Sequence, residues 1–290
     1  MQGFILVNAY SEREDYLYQA RRLEEEFTRL GADVRIVRNR TGIAALDDNG
    51  KIDLREGGDF CVFFDKDKYV ARLFEKAGVR LFNRAQAVET CDDKMLTHIA
   101  LSQKGIPMPA SMPAPLCYTQ GAALSEDYAQ IVTERLGMPV VIKQSYGSLG
   151  KGVSLARSKE ELIRAAKALR FTPHFYQRFV SQSYGRDVRL IAVGGEAVCA
   201  MERRSEGDFR SNVALGGTAV PVEIDQTMRK TAREISDALG LDYCGIDLLY
   251  GEEGFLVCEV NSNAYFGGME RTTGYNVARR YAEYVLETMR

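Results

Sequence analysis

Histidine is scarce in this chain: two in 290 residues, His98 and His174. That is too few for a histidine-rich metal site, and a Ser-His-Asp triad would have to use one of the pair. Cysteine pairs at metal or redox spacing are lacking too. The six cysteines stand at 61, 91, 117, 199, 244 and 258, none in C-x-x-C spacing, which leaves zinc ribbons and thioredoxin-like motifs unsupported. Several lie in apolar runs such as FCVFF and AVCAM and read as small buried hydrophobes in a reducing cytoplasm. No apolar run approaches the roughly 18 residues that span a bilayer. The start, MQGFILVNAY, has no basic segment ahead of a long apolar run, so it does not read as a secretory signal. An excess of either charge is missing as well: 38 Lys and Arg against 40 Asp and Glu leave −2, no field for a dedicated nucleic-acid binder. What is present is ordinary globular composition, 46% hydrophobic and 27% charged. The length suits about two domains and a core that buries roughly three-quarters of the unfolded surface.

The N-terminal part alternates between strand and helix patterns. Residues 4–8 (FILVN), 33–37 (DVRIV), 60–64 (FCVFF) and 79–82 read as strands; residues 12–30 and 67–77 read as helices, the first stopped by Gly31. Such alternation implies a parallel sheet covered by helices. The first strand–helix turn, Asn8-Ala9-Tyr10-Ser11-Glu12, lacks G-x-G-x-x-G, so no dinucleotide site is expected there. A helix over 92–104 precedes the loop-like IPMPASMPAP. From about residue 138 short strands and hairpins dominate, interrupted by helices over 159–169 and 225–239, and a helix over 276–289 closes the chain. The expected class is α/β (α+β), divided as 1–88, 89–178 and 179–290.

Three segments carry chemistry. The first is PVVIKQSYGSLGKGVSLAR (139–157), where an apolar strand ends in Lys143 and a loop with Gly147, Gly150 and Gly152 leads into a second strand. Glycines at this density let backbone N–H groups approach phosphate oxygens, and Lys143 and Lys151 add charge. The spacing is not G-x-x-x-x-G-K-[ST] and no helix follows, which excludes a Walker A loop. An ordinary glycine-rich hairpin would share these glycines, but a lysine ending an apolar strand calls for an anionic partner.

The second is CGIDLLYGEEGFLVCEVN (244–261), two apolar runs around Gly251-Glu252-Glu253-Gly254. A three-residue loop, 252–254, pairs 251 with 255, sets Asp247 opposite Glu259, and leaves Asn261 on their face. The other face then collects Cys244, Ile246, Leu248, Tyr250, Leu256, Cys258 and Val260. Opposed carboxylates are destabilising unless compensated. A hard divalent cation would do so, with phosphate oxygens filling its remaining positions. The third segment, MERRSEGDFRSNVALGG (201–217), gathers Arg203, Arg204 and Arg210 before Ser211 and Asn212, with Arg186, Asp187 and Arg189 upstream. Guanidinium forks suit phosphate and carboxylate; a solvated charged surface is the alternative.

In this order the pieces resemble the ATP-grasp superfamily and, within it, the RimK-like carboxylate–amine ligases. The stretches that carry the resemblance are CDDKMLTHIALSQKGIPMP, VVIKQSYGSLGKGV, GRDVRLIAVGGEAV, EGDFRSNVALGG, CGIDLLY and CEVNSNAYFGGMERTTGYNVA, nearly everything after residue 85. It implies an ATP-grasp fold of two α+β subdomains behind a small α/β domain, with nucleotide bound between them. Lys94, Lys143 and the flap residues Ser145, Gly147, Ser148, Gly150 and Lys151 would meet the nucleotide. Gln177, Arg178, Phe179 and Val180 would line the adenine pocket, with Asp187 near the ribose. Arg210 and Asn212 would meet phosphates or an acyl phosphate, which makes Arg210 and Lys143 the catalytic pair. Asp247, Glu259 and Asn261 would hold Mg²⁺, as two ions, with Mn²⁺ able to substitute. Arg189, Arg203, Ser211 and Asn263 would touch substrate. The family's acidic pocket residue is here Arg178, and its EVN-x-SPG tail is EVNSNAYFGG.

The implied reaction makes a carboxylate into an acyl phosphate at the expense of ATP and lets an amine displace phosphate. An amino acid such as glutamate would be added to a peptide, protein or small molecule. Two alternatives share the nucleotide site: a ligase making intramolecular ester or amide links in a precursor peptide, and a non-catalytic Mg-ATP sensor or docking module. Nucleic acid and membrane are not expected partners, and a homo-oligomer is compatible with the sequence.

Overall fold

The computed structural model describes residues 2–148, 150–211 and 217–290. Strand β1 (Gln2–Asn8), helix α1 (Glu14–Arg29), β2 (Asp33–Asn39), a hairpin of β3 (Ala44–Leu46) and β4 (Ile52–Leu54), β5 (Phe60–Phe64), α2 (Lys68–Lys76) and β6 (Arg80–Phe82) come first. Four of these strands form a parallel sheet in the order β2-β1-β5-β6. FILV and FCVFF are buried along their whole length because helices cover both faces, and such strands need apolar side chains on each.

The expected helix over 92–104 is instead two: α3 (Ala85–Asp92) and α4 (Lys94–Leu101). Asp93 separates them because its carboxylate accepts Met95 N–H and Leu96 N–H at 2.9 and 3.0 Å and caps α4. The proline-rich stretch is not wholly loop. β7 (Ser111–Pro113) pairs at a sheet edge, where a missing N–H is tolerated. With α5 (Tyr128–Leu136), β8 (Val140–Gln144), β9 (Val153–Ala156), α6 (Lys159–Leu169) and β10 (His174–Arg178) it builds an antiparallel sheet, β7-β10-β8-β9, whose apolar face packs on α5 and α6.

The rest comprises β11 (Arg186–Val193), β12 (Glu196–Arg204), β13 (Thr218–Val222), α7 (Gln226–Leu239), β14 (Tyr243–Gly251), β15 (Gly254–Asn261), α8 (Gly267–Thr273) and α9 (Val277–Thr288). Its sheet runs β13-β12-β11-β14-β15. Period-two alternation gives this sheet two buried faces. Val188, Leu190, Ile246 and Leu248 share a core with Met228, Ala232 and Ile235 of α7. Ile191, Val193, Met201 and Tyr243 share one with α9 and with Ile5, Phe27 and Phe60 of the N-terminal sheet. Asn83 joins the two sheets: its amide donates to Tyr243 O and Ser262 O and accepts Asp242 N–H and Tyr243 N–H, at 2.7 to 3.0 Å. All four of its hydrogen-bonding positions are used.

The β14–β15 hairpin corrects one expectation. Gly251 pairs with Gly254, so the turn has two residues, not three. A bulge restores the expected register further along: Leu248 faces Val257, but Asp247 faces Glu259, leaving Cys258 as the extra residue. Val257 enters the core in place of Cys258, and its N–H bonds Pro107 O at 2.8 Å. Cys258 turns to the opposite face, against the apolar placement expected for it.

Candidate functional site

All three sheets contribute to a cleft of about 560 Å³. Every residue to which the resemblance gives a nucleotide, metal or substrate role lines it except Ser145 and Asn212. Ser145 is buried behind the cleft, where its N–H bonds Pro173 O at 2.8 Å and its carbonyl accepts Lys94 N–H at 2.9 Å. Asn212 lies outside the described residues. The lining carries nine lysines and arginines against five carboxylates, on a chain of net charge −2. This local excess of four positive charges is what a polyphosphate or polycarboxylate would neutralise.

On the wall formed by the second sheet, Lys143 lies one residue from the end of β8 and Gln177 one residue from the end of β10. Lys143 is buried, and the contact found for its ammonium is Cys258 Sγ at 3.2 Å, a weak acceptor brought there by the bulge. Behind it runs a relay of side chains. Gln177 donates to Ser111 Oγ at 3.0 Å, Ser111 Oγ meets His98 Nδ1 at 3.4 Å, and His98 Nε2 meets Cys258 O at 3.3 Å. Burial, and then the charge of Lys143, lower His98 to about 4, so its imidazole is neutral at pH 7.

The flap between β8 and β9 turns through positive φ at Gly147, Gly150 and Gly152, and a side chain at 152 would come within 2.9 Å of Gln144. Two cations hold this flap. Lys94 Nζ donates to Gly147 O at 2.6 Å and lies 3.6 Å from Glu259. Arg210 donates to Gly150 O at 3.0 Å while Asp208 takes the rest of its fork. Phe179 sits edge-on to Tyr184 and Phe209, making an aromatic patch beside the exposed Arg178.

On the opposite wall strand pairing sets Asp187 on β11, Arg203 on β12 and Asp247 on β14 side by side. Arg189 holds Asp247 through both oxygens at 2.7 and 2.6 Å. Arg203 donates to Asp187 at 2.7 Å and reaches Asp247 at 3.0 Å. Burial alone would raise the Asp247 carboxyl, but Arg189 and Arg203 outweigh it and hold the group well below the usual carboxylate range. At Asp187 burial wins over Arg203, and the negative Asp247 pushes the same way, so this carboxyl sits above its ordinary value. Arg204 alternates away from this wall to pair with Glu202.

These pairs correct the charge argument for the hairpin. The opposed carboxylates are compensated by side chains, two arginines on Asp247 and Lys94 beside Glu259. Among the described residues no three His, Cys, Asp or Glu side chains form a metal cage. The donor set nevertheless fits Mg²⁺, which is ordinarily held by one or two carboxylates together with substrate phosphates. Glu259 and Asn261 line the cleft with carboxylate and amide oxygens, the ligand type of a hard cation, and the buried Asn261 Nδ2, without a partner among the described residues, is an N–H donor left for a phosphate oxygen.

Sequence reasoning missed one wall. Asn8, Ser11, Asp65 and Lys66 line the cleft from the carboxyl ends of β1 and β5. The strand order β2-β1-β5-β6 reverses direction between those two strands, and ligands of open parallel sheets bind at such a switch point. The βαβ alternation was the available signal. Among the described residues no helix is long and apolar enough to cross a membrane, and all six cysteines are free.

Residues 91–285 match the model of the RimK-like ATP-grasp domain. The chain is 36% identical over 230 residues to human (Homo sapiens) N-acetylaspartylglutamate synthase A, covering 78% of this chain and 57% of that protein. It is 36% identical over 220 residues to a probable alpha-L-glutamate ligase of Maridesulfovibrio salexigens, covering 74% and 70%. The match thus spans little more than half the length of the synthase. The D-alanine–D-alanine ligase of Bacillus anthracis, solved with ATP, superposes with a TM-score of 0.74 at 16% identity, over 100% of this chain and 97% of that one, which shows a shared fold. With the family model covering about two-thirds of its length, the chain belongs to the RimK-like ATP-grasp family.

Proposed function

We propose that the protein is an ADP-forming carboxylate–amine ligase that uses ATP and Mg²⁺ and takes glutamate as its amine. One observation carries this reading: the cationic lining converges on the edge formed by Asp247, Glu259 and Asn261 in a single nucleotide-sized cleft. Glutamate is supported by the two relatives, one a probable alpha-L-glutamate ligase and one a synthase of N-acetylaspartylglutamate.

A substrate carboxylate is a poor electrophile until one of its oxygens attacks the γ-phosphorus. That P–O bond forms as the bond to ADP breaks, giving an acyl phosphate. The amine nitrogen then attacks the acyl carbon, the C–O bond to phosphate breaks, and the nitrogen loses a proton. The protein positions the reactants and neutralises charge. Lys143, whose ammonium among the described residues meets a thiol, is set to meet a phosphate oxygen. Lys94 and Arg210 tie the flap down over the cleft. Arg189 and Arg203 fix Asp247 in its ionised form. Glu259 and Asn261, with Asp247, would hold Mg²⁺, which when bound draws charge from the transferring phosphoryl group.

The test is ADP release from the purified chain with L-glutamate and a panel of small acidic carboxylates and peptides, with product masses. Release that needs both a carboxylate and the amine, with a product heavier by glutamate less water, is the expected result. ATP binding without coupled release would make the chain a nucleotide-binding module instead. Glu259→Gln should lower release by about a hundredfold or more; intact release at low Mg²⁺ would overturn the metal assignment.

A further inference from the structure

One corner of the cleft has the opposite chemistry to the rest. Asp65 stands at the switch point immediately after β5 and is buried, 5% exposed. Its carboxylate accepts Asn8 Nδ2 through both oxygens at 3.1 and 3.4 Å, Asn39 Nδ2 at 2.9 Å and Lys66 N–H at 2.7 Å. A carboxylate has about four lone-pair positions, and three neutral donors serve them, one shared between both oxygens, so the negative charge itself is left without a counter-charge. The other cleft carboxylates each have a cation within 4.0 Å: Asp92 has Lys66, Asp187 has Arg203, Asp247 has two arginines and Glu259 has Lys94. Among the described residues no lysine or arginine lies that close to Asp65. A buried carboxylate supported by neutral donors alone is costly to keep.

Asn263 supplies a second acceptor. Its Nδ2 donates to Asp65 O at 2.8 Å, while its Oδ1 is buried without a partner. A charged acceptor and an orphaned neutral one thus stand together in a cleft whose other walls are rich in donors. Phosphates and carboxylates are drawn to the lysines and arginines and repelled here. The group that fits is a donor with positive charge and no acceptor of its own, which describes an ammonium with its three N–H bonds.

We infer that the corner formed by Asp65 and Asn263 is the subsite for the ammonium of the amine substrate. This rests on the ligase reading and names the substrate class of one part of its cleft. Asn263 lies two residues beyond Asn261, so the corner adjoins the edge where phosphoryl transfer is proposed. An ammonium docked there gives up one proton, with the Asp65 carboxylate as the acceptor at hand, before its nitrogen attacks the neighbouring acyl carbon, and the second proton leaves as the amide forms.

The experiment is titration calorimetry on the full chain with saturating ADP and Mg²⁺, comparing L-glutamate with glutarate, which keeps both carboxylates and lacks the ammonium. The wild type should bind L-glutamate about tenfold or more tighter than glutarate, since loss of a charge-assisted contact leaves Asp65 unpaired. Asp65→Asn should bring the two ligands within about twofold of each other while its ADP affinity stays at the wild-type value. Asn263→Ala, which leaves Asp65 and its three donors in place, should weaken L-glutamate by several-fold and glutarate little. Equal binding of both ligands by the wild type, no binding of L-glutamate, or a preference that survives in Asp65→Asn would overturn the subsite. Loss of ADP binding in the wild type would instead strike at the ligase reading itself.

Discussion

Arg203→Met is the sharpest probe of the wall that holds Asp247. Arg203 is 4% exposed and stands between two buried carboxylates, donating to Asp187 at 2.7 Å and lying 3.0 Å from Asp247. Removing it leaves Arg189 on Asp247 and no arginine on Asp187. Breaking a buried ion pair by deleting one partner costs about 3–5 kcal/mol, because the other charge stays buried. Unfolding entropy is about 2.1 cal/mol/K per residue, or roughly 0.6 kcal/mol/K for a chain this long, so Tm should fall by about 5–8 °C. The pH dependence carries the sign. Without Arg203 the folded-state pKa of both carboxyls rises, while the unfolded values stay near about 3.9. The folded variant then holds more protons than the folded wild type as pH rises from about 4 towards 7. Its stability relative to wild type therefore falls over that window. Thermal melts at pH 5 and pH 7 should show the larger deficit at pH 7. The double change Arg203→Met with Asp187→Met should recover most of the loss, since no unpaired charge remains at that pair. A Tm drop under about 2 °C, a deficit that shrinks as pH rises, or a double variant as unstable as the single would refute the reasoning.

Other outcomes follow from the same geometry. Lys143→Met should weaken ATP binding about tenfold, near 1.4 kcal/mol, and raise the His98 pKa from about 4, seen by imidazole NMR. The value should stay below the ordinary 6.5, because burial is the larger cause; an unmoved His98 would mean that Lys143 does not face it. Since unfolded His98 takes its proton near pH 6.5 and folded His98 near 4, the wild type should lose stability as pH falls through that interval. Phe266→Ala empties a fully buried site edge-on to Tyr243, in the core shared by the first and third sheets. It should cost about 3–5 kcal/mol in urea unfolding, with both sheets lost in one transition because they share that core.

Strands with strong apolar runs were legible because burial on both faces leaves a local signature: FILV, FCVFF and LIAV stand where the patterns placed them. β7, β13 and the β3–β4 hairpin were not, because short edge strands owe their existence to the partner they pair with. The opposition of Asp247 and Glu259 was read correctly but through the wrong loop. A two-residue turn plus a bulge at Cys258 produces the same register as a three-residue turn. The bulge has its own tertiary anchor, Val257 N–H on Pro107 O.

By itself the sequence determined which chemistry is present: lysines at strand ends, a glycine flap, arginines among β-strands, an acid–acid–amide edge and only two histidines. Only the tertiary structure decided how those charges are spent. Arg189 and Arg203 lock Asp247, Lys94 and Arg210 hold the flap, and Lys143 is left facing a thiol. The reason is that ion pairing depends on distances between residues from separate strands, such as Asp187, Arg203 and Asp247, which only sheet pairing brings within 3 Å. The same holds for Asp65, which among the described residues has no cation within 4.0 Å because the neighbouring Lys66 turns to Asp92, a choice only the folded cleft makes.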